Sequence, residues 1–332
     1  MNRATIKDIA LRLGINISTV SRALKNHPDI SIEMKRNVLY MAQQLNYIPN
    51  HNAIHLRSKE SKIIALIIPS ISMFFFPSVV QGIQDVVYSN GFRLLVLQSN
   101  DLLQREIENI DICLQNDVDG FLLSVSSDTA NNHHLKKIQS LEVPLVLFDK
   151  VIDDDSIPQV IIDDPQVACE ATEYMIQMGK RNIIGLFGNP NLNITKRRVD
   201  GFENALLKHK IHKRPDAIQY ATSTNDAFRI VSTLCAQPNA PDGIFAMSDE
   251  ILAGIVPALK SRNINIPTDC AVIAISDGYL PTYLDPPIPF IRHSGYEVGR
   301  KSAEILCSLI RHEQPLPEPR TMIKTQLQVQ IL

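Results

Sequence analysis

Near the start of the chain, Ile17, Ser18, Ser21 and Arg22 set two hydroxyls, an aliphatic tip and a guanidinium at helical spacing. Groups of this kind, held outward on one short helix, can hydrogen-bond to base edges in a nucleic-acid groove. Two amphipathic elements would position them. Thr5 stands where it can cap a helix whose Ile6, Ile9, Ala10 and Leu13 recur at helical intervals, and Gly14 can take the positive φ that ends it. Asn16 can cap a second helix in which Val20, Ala23 and Leu24 face inward, leaving Ile17, Ser18, Ser21 and Arg22 outside near its start. A helix-turn-helix presents those positions to base edges. Ser31 predicts the cap of a third helix, Ile32 to Leu45, whose Val38, Ala42 and Leu45 close a small core. Pro49-Asn50 then breaks the chain ahead of a short helical segment from Asn52 to Arg57.

A small helical bundle that binds protein would show the same pattern, and charge argues against it. Residues 1 to 60 carry nine Lys or Arg against four acids, a net of +5, while the remainder carries 24 against 31, a net of −7. The overall −2 hides this asymmetry. A basic module on an acidic body implies a polyanion at one end and a different partner at the other, because phosphate neutralisation supplies most non-specific affinity for DNA.

At 332 residues the chain is too long for one typical core, so two or three domains are expected. A hydrophobic content of 45% with 20% charged residues belongs to a soluble globular protein. No stretch is apolar for long enough to span a bilayer and the start has no signal-peptide core, so a cytoplasmic protein without membrane contact is expected. Five scattered cysteines, none in a Cys-x-x-Cys pair, predict reduced and mostly buried thiols rather than zinc or disulfides.

After residue 60 the pattern turns to alternation. Apolar runs at Ile63 to Ile68, Leu94 to Leu97, Gly120 to Leu123 and Pro144 to Phe148 are strand-like, and the first three each lead into an amphipathic stretch of helix length. A second series follows at Val160 to Ile162, Ile183 to Phe187, Ile244 to Ala246 and Val272 to Ile275, with helices predicted at Gln166 to Met178, Arg198 to Lys208, Ala227 to Cys235 and Ile251 to Ser261. Continuous apolar strands separated by crossover helices indicate an α/β fold of parallel sheets covered on both faces. Two in tandem suggest two lobes with a ligand cleft between them, and the residues just beyond the strand ends become the candidates for binding.

The motif Thr5-Ile-x-Asp8-Ile-Ala10…Gly14…Ser18-Thr19-Val20-Ser21-Arg22, followed by Asn46-Tyr47-x-Pro49-Asn50-x-x-Ala53-x-x-Leu56, resembles the lactose and galactose repressor family of bacterial transcription regulators. The similarity runs from about Thr5 to the C-terminus. It implies a helix-turn-helix headpiece over 1–48, a hinge helix over 49–59 and a two-lobed body over 60–332, like that of periplasmic sugar receptors. The N-lobe would comprise about 60–161 and 291–320, and the C-lobe about 162–290 and 321–332. By resemblance, Ile17, Ser18 and Arg22 read bases, with Arg22 suited to a guanine O6 and N7 edge. Thr5, Ser21 and Asn50 would hold the DNA backbone. Asn50, Ala53 and Leu56 belong to the hinge motif, with Leu56 the wedge that opens a minor-groove step.

The matching effector contacts in the body are Phe75 or Phe76, Asp149, Arg198, Ser248 beside Asp249, and Asp277. Carboxylates and a guanidinium can bridge vicinal hydroxyls, and an aromatic face can cover the apolar side of a sugar. Departures from the family pattern include Met73-Phe74-Phe75-Phe76 after the first strand, Lys150 after the strand-end acid, and Ile275-Ser276-Asp277 around the second acid. The cluster Lys196-Arg197-Arg198 raises a phosphorylated or acidic sugar as one option, while a solvated helix face explains Lys196 and Arg197 equally well. The partners expected are double-stranded operator DNA, a sugar effector and a second copy of the chain, with no cofactor. A palindromic operator would meet the two headpieces of a homodimer. The terminal strand, Thr321 to Leu332, has no leucine heptads after it, which favours a dimer over a tethered tetramer.

Two other classes fit less well. A doubly wound enzyme would want a phosphate loop or an activated nucleophile, and neither Gly-x-Gly-x-x-Gly, a Walker sequence nor Gly-x-Ser-x-Gly occurs. His133-His134 reads as solvated loop rather than a metal site. A transport receptor would need export and would have no use for residues 1 to 58.

Overall fold

A computed structural model describes residues 4–47, 60–129 and 132–329. The chain divides into two compact units, residues 1–61 and 62–332. In the first, α1 (Ile6–Leu13), α2 (Ile17–Leu24) and α3 (Ile32–Gln44) pack around Ile9, Ala10, Val20, Ala23, Val38 and Ala42. Gly14 ends α1 at φ 63°, a left-handed conformation that glycine adopts without strain. The Asp8 carboxylate takes hydrogen bonds from both the Thr5 backbone N–H and its hydroxyl at 2.8 Å, and these two bonds pull its pKa below the usual range. Ser31 caps α3 by accepting from the Met34 N–H. Asn16 occupies the cap position of α2 without a side-chain cap bond, a correction to its expected role.

The second unit contains two six-stranded sheets. The first joins β1 (Ile63–Ile68), β2 (Arg93–Gln98), β3 (Gly120–Leu123), β4 (Leu145–Phe148), β5 (Gln159–Ile161) and β11 (Arg320–Met322), in the order β11-β5-β4-β3-β1-β2 with every pair parallel. Alternation along β1 shows how both faces are buried. Ile64, Leu66 and Ile68 pack towards α4 (Phe76–Ser89) and α12 (Gly295–Ile310), while Ala65 and Ile67 pack towards α5 (Leu103–Gln115) and α6 (His133–Ser140).

The second sheet joins β6 (Ile183–Phe187), β7 (Ile218–Tyr220), β8 (Gly243–Ala246), β9 (Ala271–Ser276), β10 (Phe290–Arg292) and β12 (Gln326–Gln328), in the order β12-β10-β9-β8-β6-β7. Only β12 runs antiparallel to its neighbour. Its core is closed by α7 (Asp164–Gln177), α8 (Asn193–Lys208), α9 (Thr224–Leu234) and α10 (Asp249–Ser261), with the short α11 (Tyr279–Tyr283) after β9.

The chain passes between the lobes at three places: Ile162–Asp163, His293–Ser294 and Ile323–Thr325. The expected boundaries therefore shift by a few residues. Ile291 and Arg292 belong to the second sheet, and the expected single terminal strand is two: β11 completes the first sheet and β12 the second. Ile323, between them, packs on the cores of both lobes. His133-His134 is corrected too. It opens α6, and His134 is buried with Nε2 on Glu106 Oε1 at 2.7 Å.

Candidate functional site

Each sheet reverses its strand order, between β1 and β3 in the first and between β6 and β8 in the second, and loops beyond the carboxyl ends of the strands leave a crevice at such points. The two sets of loops meet across one cleft of about 1040 Å³ that opens to solvent. Phe75, Phe76, Asp149, Arg198, Ser248 and Asp277 all line it, each following a different strand apart from the adjacent phenylalanines, with Arg198 inside α8.

Local structure fixes each of them. Gly201 lets α8 lie against the start of α7, since a Cβ there would sit 2.0 Å from the Pro165 carbonyl oxygen. That approach sets Arg198 against Asp164: Nε donates to Asp164 Oδ1 and Nη1 to the Met247 carbonyl, both at 2.8 Å, with Arg198 only 4% exposed. Asp149 holds φ at 58° where the chain leaves β4, and its carboxylate has no hydrogen-bond partner among the described residues. Ser248 occupies the cap position of α10 without making a side-chain cap bond, which leaves its hydroxyl to the cleft. Asp277 Oδ1 accepts from the Gly295 N–H at the start of α12, tying the lobes at that crossing. Of the two aromatics, Phe76 is core and Phe75 is half-buried over the cleft, its ring 4.5 Å from that of His293.

Several cleft residues lie outside the expected set. Asp101, Asp249 and Glu250 join Asp149 and Asp277 to make five carboxylates, against the cations Lys150 and Arg198. Both cations are already engaged, Lys150 with Asp101 at 2.9 Å and Ser127 at 3.1 Å, and Arg198 as described. Burial pushes Asp149 up to about 6 against the pull of Arg198 and Lys150. It pushes Asp249 up to about 7, with the neighbouring Glu250 and Asp277 charges opposing hydrogen bonds from Ser276 and Asp277. His293, 5% exposed, is driven down to about 3 by burial, and the Arg198 charge adds to the shift. Among the described residues, two buried atoms at the cleft have no hydrogen-bond partner, Asp249 Oδ1 and His293 Nε2.

Asp249 was visible in the sequence as the neighbour of Ser248, but only the helix start shows that both reach the cleft. His293 follows a three-residue strand too short to leave a periodic signal. Arg197 is drawn away to Asp153 at 2.8 Å, so Arg198 alone of the basic triplet enters the cleft.

In the first unit, Ile17, Ser18 and Arg22 are exposed along α2, Ile17 at 43%, and Ser21 is half-buried on the same helix. Thr5 is exposed at the cap position just before α1. Asn50, Ala53 and Leu56 fall outside the described residues.

Among the described residues no group of His, Cys, Asp and Glu could hold a metal, and no helix is long and apolar enough to cross a membrane. All five cysteines are unpaired, and burial pushes the thiols up, that of Cys113 to about 11.

Comparison with known proteins gives this arrangement its class. Residues 5–50 match the model for "Bacterial regulatory proteins, lacI family", and residues 61–328 match that for "Periplasmic binding proteins and sugar binding domain of LacI family". The chain belongs to the lacI family of bacterial regulatory proteins: a transcription regulator with a helix-turn-helix DNA-binding domain and a sugar-binding domain. Among its relatives is "Probable HTH-type transcriptional repressor ExuR" of Bacillus subtilis, 30% identical over 319 residues that cover 95% of this chain and 94% of that protein. The ribose operon repressor of the same organism is 29% identical over 316 residues, covering 95% and 94%. The lac repressor dimer bound to operator and the anti-inducer ONPF shares the fold, with a TM-score of 0.85 at 19% identity over 98% of each chain. Both of these curated relatives are named as repressors, and this chain is likewise a regulator rather than an enzyme.

Proposed function

We propose that this regulator acts in the cytoplasm as a homodimeric repressor of carbohydrate-utilisation genes, and that an uncharged sugar in the cleft sets its affinity for a palindromic operator. Residues 1–48 form the headpiece, 49–59 the hinge, and 60–332 the effector and dimerisation body. Ile17, Ser18 and Arg22 read base edges, while Thr5, Ser21 and Asn50 hold phosphates. Leu56 enters the minor groove with Ala53 on the same hinge. The observation that carries the effector assignment is the surplus of carboxylates in a cleft whose two cations are already paired. An anion would face net repulsion there. Hydroxyl groups could instead donate to Asp149, Asp277 and the orphaned Asp249 Oδ1, with His293 Nε2 as a further partner and Phe75 covering an apolar ring face.

Binding would stabilise the closed arrangement of the lobes. Bonds already cross the cleft, from the Phe74 N–H to Glu250 Oε1 at 2.9 Å and to Asp153 from Arg197 at 2.8 Å and from Asn193 at 3.1 Å, and hinge motion would break them. Since segment 49–59 runs directly into β1, a shift of the first lobes in a dimer alters how the two hinges can pair on DNA. Calorimetry with matched neutral, phosphorylated and uronic sugars tests the effector class. Tight binding of a neutral sugar is expected, and preference for a charged counterpart would refute it.

A further inference from the structure

A second depression, about 1060 Å³, adjoins the cleft and shares Ser127 and Leu192 with it. One wall comes from the loops after β3 and β4, the other from the start of α8. Ser127, Thr129 and Asn132 stand on the first wall, and Asn191, Asn193 and Lys196 on the second. The first wall is held in place from beneath. Glu106, fully buried, accepts from the Ser126 N–H and hydroxyl, from the Thr129 hydroxyl at 3.3 Å, and bonds His134 at 2.7 Å. The second wall keeps unused groups: among the described residues the exposed Lys196 forms no ion pair, and the Asn191 amide no side-chain hydrogen bond.

We propose that this groove is the subsite for the second ring of an oligosaccharide effector whose first ring occupies the cleft. It rests on the sugar-binding reading of the cleft and extends it to ligand length. The chemistry is that of a hydroxyl-bearing ring: amides and hydroxyls that both donate and accept, with no aromatic platform among the described lining residues. Asp153 is paired with Arg197, and Asp128 faces Lys196, the one cation among the described lining residues, which is a weak field for a phosphate. A wall preorganised by Glu106 spends little entropy on ordering when the ring arrives. Ser127 and Leu192 lie at the junction, where the glycosidic link would pass.

The test is calorimetry and native mass spectrometry of the full chain against glucose, galactose and mannose, each beside cellobiose, maltose, lactose, melibiose and mannobiose. A disaccharide is expected to bind at least about tenfold more tightly than either component, and each group lost in Asn191→Ala or Lys196→Ala to cost about fivefold, the size of one hydrogen bond. Monosaccharide affinity should stay unchanged in both variants. A monosaccharide that binds as tightly as its disaccharide, or a disaccharide indifferent to both substitutions, would overturn the subsite and leave the cleft reading standing. Absence of binding by every sugar of either length would instead remove the cleft reading, and the subsite with it.

Discussion

Removing the Arg198 guanidinium would leave Asp164 buried without its counter-ion, since both side chains are almost wholly covered. Arg198→Met should therefore cost about 3–5 kcal/mol in chemical denaturation. Adding Asp164→Leu should recover much of that stability without restoring sugar binding, which separates structural pairing from ligand contact. Protonation gives a second handle. Asp149 and Asp249, at about 6 and 7 against an ordinary 3.8, retain protons in the folded state that the unfolded chain releases. Their contribution to stability is fully present below pH 3.8 and is lost as pH rises through 6 and 7. His293 works in the opposite sense: held at about 3 rather than 6.5, it contributes above pH 6.5 and loses that as pH falls towards 3. Asp249→Asn should then stabilise the sugar-free protein at pH 8 while weakening sugar binding, and wild-type affinity should rise with pH as hydroxyl donors meet ionised carboxylates. Affinity that falls over that range, followed by calorimetry, would count against hydrogen bonding to these carboxylates. On α2, Arg22→Ala should lower specific operator binding by about 1–3 kcal/mol and leave salt-sensitive non-specific binding in place. At this scale the sequence was most legible where a side chain follows an unbroken apolar strand, as with Asp149 and Asp277. It was least legible for His293 and Asp101, whose approach to the cleft depends on tertiary folding rather than a local motif.

Among the elements, helices meet so closely that glycine is required at the contact. A Cβ on Gly82 of α4 would stand 2.1 Å from the Tyr296 carbonyl oxygen of α12, and one on Gly201 would meet Pro165. Gly82→Ala should destabilise the first lobe by about 1–3 kcal/mol, seen as a lower Tm. Gly201→Ala should do the same to the second lobe and also reduce sugar affinity, because it moves Arg198 along with α8. Long apolar strands such as Ile63–Ile68 and Ile183–Phe187 could be read residue for residue, since burial on both faces leaves an unbroken hydrophobic run. Of the three-residue strands, β5 was legible as the apolar run Val160 to Ile162, whereas β7, β10, β11 and β12 carry no such signal and form because a neighbouring strand offers its edge. The division of the last segment between two sheets was invisible for the same reason, although it is what makes the third lobe crossing.

For the whole molecule, a basic N-terminal unit and an acid-rich cleft in a separate unit separate output from input. Linkage requires that a sugar which changes operator affinity be changed in its own affinity by the same factor. Operator sites can be located by chromosomal footprinting and a labelled site followed by fluorescence anisotropy, with and without saturating sugar. Calorimetric titration of the same sugar into free and operator-bound protein then gives the reciprocal quantity. Equal factors of about 5–150-fold in the two experiments are expected. A sugar that fills the cleft while leaving operator affinity unchanged would contradict control of the DNA-binding unit by the cleft.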